Sequence, residues 1–245
     1  MKFQEDCRIL EKRIFNNYLY LSIETKDIAK NSLAGQFVNL RVNDSYDPFL
    51  RRPFSISDVE KDVLKLIIQI RGKATTLLAQ KKEGESVNII GPLGNSFPLF
   101  DKDAIFVAGG IGVAPFPFLA KKVKNIKLLL GVRGKSLLPA IDIFKDFDVV
   151  ISSDDGSVGE KGTVIDLLVK ENFNEKVIYA CGPNPLFRAL NKIFSSCGNI
   201  EAYYSLENYM ACGFGACKGC SIETVNGNKL VCKDGPIFKW NEVIL

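Results

Sequence analysis

The residues best suited to chemistry lie near the C-terminus, in MACGFGACKGCSIETVNGNKLVCKDG, residues 210–235, which hold four of the chain's seven cysteines. Cys212, Cys217 and Cys220 are spaced C-x4-C-x2-C, and Cys232 follows with eleven residues between it and Cys220. Three thiolates in one short loop, with a fourth from a later segment, match the ligation pattern of a plant-type 2Fe-2S cluster. Gly213, Gly215 and Gly219 would let such a loop bring backbone amides up to the sulfur atoms, where hydrogen bonds tune the cluster. Soft thiolates favour iron-sulfur or zinc over hard cations. Structural zinc stays open, although zinc sites usually pair their ligands in two C-x2-4-C knuckles and the second knuckle is absent here. Disulfides would need an oxidising compartment, against which the odd number of cysteines speaks.

The rest of the chain must position this loop and whatever exchanges electrons with it. At 245 residues there is room for two domains and a small appendage. With 47% hydrophobic and 24% charged residues the balance is that of a soluble protein. The net charge of +4 is modest, and Lys81-Lys82 and Lys121-Lys122 are too short to form a nucleic-acid-binding stripe. The opening MKFQEDCRILEKRIF is charged and lacks the apolar core of a signal peptide or membrane span, which implies a cytoplasmic, reducing setting. The chain contains no histidine, so neither a His-based triad nor a mononuclear zinc hydrolase is expected. Cofactors must carry the chemistry, and no catalytic side chain is assigned.

Residues 1–98 read as a β-barrel. The runs at 7–15, 18–25, 36–42, 53–57, 63–70 and 86–90 are short, β-rich and separated by polar turns, with one helical signal at 75–82. Six such strands suggest a closed Greek-key barrel. Two loops in it could bind an anion. Arg51-Arg52-Pro53-Phe54-Ser55-Ile56-Ser57 offers guanidinium donors and hydroxyls, and Arg71-Gly72-Lys73-Ala74-Thr75-Thr76 places glycine and threonines at a helix start. Read singly, each is also an ordinary basic turn or helix cap.

Residues 99–204 change period. Apolar strands at 104–110, 125–134, 148–154, 176–182 and 199–205 alternate with helical stretches at 136–145, 162–171 and 184–196, which indicates a parallel sheet covered on both faces. Ligands of such sheets lie at the strands' carboxyl ends. The turns there are Gly109-Gly110-Ile111-Gly112-Val113-Ala114-Pro115 and Cys181-Gly182-Pro183. Without histidine, Cys181 has no usual activating partner and reads as a packing or orienting residue. Residues 205–245 form the small cysteine-loop domain.

RRPFS, RGKATTLL and GPLGNSFP at 91–98 resemble the flavin-binding elements of the ferredoxin reductase superfamily. The resemblance assigns Arg52 to the FAD pyrophosphate and Ser55 to the isoalloxazine, with Pro53, Phe54 and Ile56 as wall and backbone contacts. Gly72, Thr75 and Thr76 match the second phosphate element, although Lys73 and Ala74 depart from the smaller or hydroxylated residues expected there. Gly110, Gly112 and Pro115, with Cys181 and Gly182, resemble the superfamily's pyridine-nucleotide elements. SLENYMACGFGACKGC at 205–220 and VCKDGPIF at 231–238 narrow the resemblance to the electron-transfer subunits of dihydroorotate dehydrogenase B, whose cluster ligands fall on Cys212, Cys217, Cys220 and Cys232.

That family implies FAD, one 2Fe-2S cluster and NAD as diffusible acceptor. It also implies an FMN-containing dihydroorotate dehydrogenase catalytic subunit as partner, with two copies of each chain, serving cytoplasmic pyrimidine biosynthesis. Electron-transfer subunits of hydrogenases or NADPH:ferredoxin oxidoreductases share the architecture and are the rival reading, along with a non-catalytic redox-sensing module.

Overall fold

The computed structural model describes residues 1–145 and 147–245. Its first unit is built from β1 (Phe3–Phe15), β2 (Tyr18–Glu24), β3 (Phe37–Arg41), β4 (Arg52–Glu60), β5 (Val63–Gln69), α1 (Lys73–Gln80) and β6 (Ser86–Leu93). The strands close an antiparallel barrel in the order β1-β2-β5-β4-β3-β6. Alternate residues supply its interior: Leu19, Leu21 and Ile23 from β2, Val38 and Leu40 from β3, Leu64, Leu66 and Ile68 from β5, all buried. A period of two puts one set of side chains inside and the other out, which is why these segments form half-buried strands.

The second unit comprises β7 (Asp103–Gly109), α2 (Phe116–Ala120), β8 (Lys124–Val132), β9 (Asp148–Ser153), β10 (Glu160–Lys161), α3 (Val164–Leu168), β11 (Val177–Cys181), α4 (Asn184–Ser196) and β12 (Glu201–Ser205). These strands lie parallel in the order β10-β9-β8-β7-β11-β12. Every residue of β11, and Ala104–Ala108 of β7, is buried, as expected for strands covered on both faces. α4 covers one face with Leu186, Phe187, Leu190 and Phe194.

The stretch 136–145, expected to be helical, is instead two short 3-10 turns, Lys135–Leu137 and Ile141–Phe144. Pro139 explains the break: it removes an amide donor and holds Leu138 extended, at φ −76 and ψ 128. The interruption leaves backbone groups available to the barrel. Tyr18 Oη donates to the Leu137 carbonyl at 2.8 Å, Asn16 Nδ2 to the Leu138 carbonyl at 2.9 Å, and the Ala140 amide to Tyr20 Oη at 2.6 Å. Arg13 pairs with Asp142 at 2.6 Å. These bonds fix the barrel against the sheet.

The C-terminal segment contains a hairpin, β13 (Ser221–Thr224) with β14 (Gly227–Leu230), and then β15 (Ile237–Lys239). β15 pairs antiparallel with β12, Ser205 opposite Ile237, so the appendage extends the sheet of the second unit by one strand. Val231, Cys220, Cys232, Phe238 and Val243 share a continuous core with Phe37 and Leu93 of the barrel and with the helix-covered face of the sheet. A segment too small to bury a core alone is thereby stabilised by its two neighbours. No helix among the described residues is long and apolar enough to cross a membrane.

Candidate functional site

The four loop cysteines are drawn together in two pairs. The Cys217 amide donates to Cys212 Sγ, and the Cys232 amide to Cys220 Sγ, each at 3.4 Å. Cys220 and Cys232 are buried members of the core, whereas Cys212 is half-buried and Cys217 exposed. The loop therefore has an inner and an outer pair. Burial pushes the Cys212 thiol up, but the amides of Cys217, Phe214 and Ala216 outweigh this and bring it down to about 6, favouring thiolate. Cys232 is pushed up to about 12, first by burial and then by the adjoining Cys220. Two thiolates on each of two irons is the demand of a 2Fe-2S cluster, and these pairs with their amide donors fit it.

The loop rests on the barrel. Asn39 of β3, fully buried, donates from Nδ2 to the Cys212 carbonyl at 3.2 Å and lies opposite Pro53 of β4. One strand thus separates the cysteine loop from the Arg52–Ser55 stretch. The two adjacent arginines differ. Arg51 turns back onto the barrel, where its guanidinium donates to the carbonyls of Asn88 at 3.0 Å and Asn39 at 3.4 Å and to Asn88 Oδ1. Among the described residues Arg52 donates from Nη1 alone, to the carbonyls of Leu50 at 2.6 Å and Arg51 at 3.3 Å, so its remaining donors can meet an anion. Phe54 and Ser55 are half-buried, while the Ile56 side chain is fully inside the barrel, which leaves only its backbone for a ligand. Gly72 precedes α1, and Thr75 Oγ1 accepts the amides of Arg71 and Gly72 at 3.0 and 3.2 Å. Thr76 and Gly72 are exposed at this helix start.

The two glycine turns of the sheet meet. Gly112 is packed so closely on the Cys181 carbonyl that a Cβ would overlap it and stand 2.8 Å from the Gly182 amide. Gly110 opens the turn at φ +56, and Pro115 leads into α2. Burial pushes the Cys181 thiol up, with the Glu207 carboxylate adding to the effect, so it stays a protonated packing group. Glu207 itself is exposed two residues beyond β12, yet the surrounding protein pushes its carboxyl up and the Arg71 charge only partly offsets this. Glu207 thus lies within electrostatic reach of both Arg71, at the α1 end of the barrel, and Cys181, at the end of β11.

Comparison with known proteins agrees with this geometry. Residues 207–244 match the family model described as the iron-sulfur cluster binding domain of dihydroorotate dehydrogenase B. The electron transfer subunit of dihydroorotate dehydrogenase B (NAD(+)) from Caldanaerobacter subterraneus subsp. tengcongensis is 36% identical, with both chains covered in full. That from a Geobacillus strain is 37% identical, also over the whole of both chains. The chain belongs to this family of electron transfer subunits. The family's fold extends to solved oxidoreductases. An NADH-dependent reduced ferredoxin-NADP oxidoreductase chain superposes with TM-score 0.85 at 28% identity, covering 97% of this chain and 89% of that one. A ferredoxin NADP+ reductase from Neisseria gonorrhoeae, solved with FAD and NADP, gives 0.67 at 17% identity over 83% and 99%. The chain thus shares its fold with solved oxidoreductases, and the cysteine loop falls within the matched iron-sulfur binding domain.

Sequence reading did not find Asn39, Asn95 or Glu207. Asn39 looks like an ordinary strand residue and Asn95 lies in GPLGNSFP, read by resemblance as a flavin element; only tertiary packing shows that both grip the cysteine segment. Glu207 had a signal, since it lies in SLENYM two residues after a strand whose carboxyl end faces a ligand edge.

Proposed function

We propose that the chain receives electrons, one at a time, from a partner that oxidises dihydroorotate, and delivers them to NAD+ for pyrimidine biosynthesis. The observation that carries this reading is the placement of the paired cysteines one strand behind Arg52–Ser55, with Asn39 joining the two. Its cofactors are FAD, a 2Fe-2S cluster and NAD. A flavin links two-electron exchange with a nicotinamide to one-electron exchange with a cluster, which is the chemistry the arrangement needs.

The protein's own tasks are binding, orientation and exclusion of water. Cys212, Cys217, Cys220 and Cys232 would hold the cluster, with amides donated to the sulfurs. Arg52 and the amides at the start of α1 would hold the FAD pyrophosphate, and Phe54 and Ser55 would border its ring. The contacting turns at Gly112 and Cys181 would seat the nicotinamide nucleotide at the carboxyl ends of β7 and β11. No side chain is required as acid or base.

The outer pair supplies an exposed edge of the loop, flanked by Tyr209, 90% exposed, and Phe214, 43% exposed. We assign this face to the partner, an FMN-containing dihydroorotate dehydrogenase catalytic subunit, with two copies of each chain in the cytoplasm. Electron-transfer subunits of hydrogenases or NADPH:ferredoxin oxidoreductases are not favoured, given full-length relatives of the dihydroorotate family. Purification from native extract tests the proposal: the co-purifying chain should be an FMN-containing dihydroorotate oxidiser. A hydrogenase or ferredoxin-linked partner would refute it.

A further inference from the structure

Asn39 combines three features that packing alone does not explain. Its side chain is completely buried on the outer face of β3. Nδ2 donates to two consecutive carbonyls of the cysteine loop, Cys212 at 3.2 Å and Ala211 at 3.5 Å. Oδ1, by contrast, is buried with no hydrogen-bond partner among the described residues. An apolar residue of the same shape would avoid that cost, so the amide is retained for what its donor end does.

The loop is shaped to receive it. Gly213 adopts φ +79, and a Cβ there would stand 2.7 Å from Asn39 Nδ2 and 3.2 Å from Leu93. Glycine is thus required both by the backbone angle and by the approach of the amide. On the barrel side, Asn39 is in register with Pro53 of β4 and Ile90 of β6, and its carbonyl accepts from Arg51 at 3.4 Å. One side chain therefore connects the first cluster ligand to the strand that carries Arg52–Ser55.

We infer that Asn39 is a positioning residue for electron transfer: it fixes the Cys212 end of the cluster loop to the barrel and so sets how the cluster stands relative to the flavin. This rests on the cofactor assignment proposed above. Position matters because transfer between two held groups depends on their separation and orientation, and a small displacement at one end is not recovered elsewhere.

The test compares the full chain, loaded with FAD and cluster, with Asn39→Leu and Asn39→Asp. Three readouts are needed: flavin and cluster reduction by NADH followed separately, the electron paramagnetic resonance spectrum of the reduced cluster, and the rate of iron release to a chelator. Asn39→Leu should fold, keep its FAD, and reduce flavin at the parental rate. Cluster reduction should slow, and iron release quicken, by roughly three- to tenfold, the scale of one lost hydrogen bond. Asn39→Asp, which keeps the shape and loses the donor, should show the same separation of flavin from cluster rates with an altered spectrum. Parental spectrum, iron release and cluster reduction in both variants would overturn the inference. So would loss of folding stability and FAD in both, which would make Asn39 merely structural. A parental chain lacking FAD or cluster would overturn the cofactor reading itself, and this inference with it.

Discussion

Asn95 and Ile237 hold each other across the seam between barrel and cysteine segment: Asn95 Nδ2 donates to the Ile237 carbonyl at 2.8 Å, and Asn95 Oδ1 accepts the Ile237 amide at 2.9 Å. Ile237 begins β15, so this reciprocal pair anchors the strand that completes the sheet. Asn95→Ala would leave a part-buried amide and carbonyl unpaired and should cost about 2–4 kcal/mol of stability. Urea unfolding would read this as a lower midpoint with an unchanged slope. A loss below about 0.5 kcal/mol, typical of surface substitutions, would show the pair to be incidental.

Arg52→Ala should weaken FAD retention by about 1.5–3 kcal/mol, the scale of a charge-assisted hydrogen bond to phosphate. Arg51→Ala is expected to act through the barrel instead, since Arg51 is committed to Asn88 and Asn39. Flavin release measured by fluorescence separates the two. Equal FAD affinity in parent and Arg52→Ala would remove Arg52 from the site.

Gly112→Ala would press a methyl group onto the Cys181 carbonyl and drive the two nucleotide turns apart. We expect weaker NADH binding with normal FAD and iron content, because the strained contact joins the two turns of the parallel sheet and includes neither Arg52 nor a cluster cysteine. NADH titration against dye reduction, together with cofactor analysis, checks the outcome. Unchanged NADH affinity would move the nucleotide site elsewhere.

Glu207 gives a pH signature with a definite sign. Its folded-state pKa is raised because surrounding protein desolvates the carboxyl, only partly offset by Arg71, so its contribution to stability is present below the ordinary carboxylate range and is lost as pH rises through the raised value. Glu207→Gln should therefore melt higher than the parent at neutral pH, and the difference should vanish in acid. Melting curves from acid to neutral pH measure it; a pH-independent difference would contradict the raised Glu207 carboxyl.

Much of this was legible in the residues because local chemistry fixed it. Alternation marked the barrel strands, continuous apolar runs marked β7 and β11, and C-x4-C-x2-C marked the loop. What failed was also local. The 136–145 stretch carries helix-forming residues, but Pro139 and the hydrogen bonds donated by Asn16 and Tyr18 and accepted by Tyr20 hold it as two 3-10 turns. The joining of β15 to β12 was not legible, because three residues between Pro236 and Trp240 carry too little pattern to name a strand, still less its partner. Asn39 was invisible for a related reason: its role is defined by a carbonyl 173 positions away in sequence.

On the proposed route, electrons from dihydroorotate reach NAD+ through this chain's cysteine loop. The most direct measurement is dihydroorotate-dependent NAD+ reduction by the complex reassembled from this chain and its co-purified partner, compared with the chain alone and with Cys212→Ser. The chain alone should oxidise NADH with a dye and leave dihydroorotate untouched, the complex should reduce NAD+, and Cys212→Ser should abolish that transfer while NADH-to-dye activity persists. Dihydroorotate-dependent NAD+ reduction that survives intact in the Cys212→Ser complex would rule out passage through the cysteine loop.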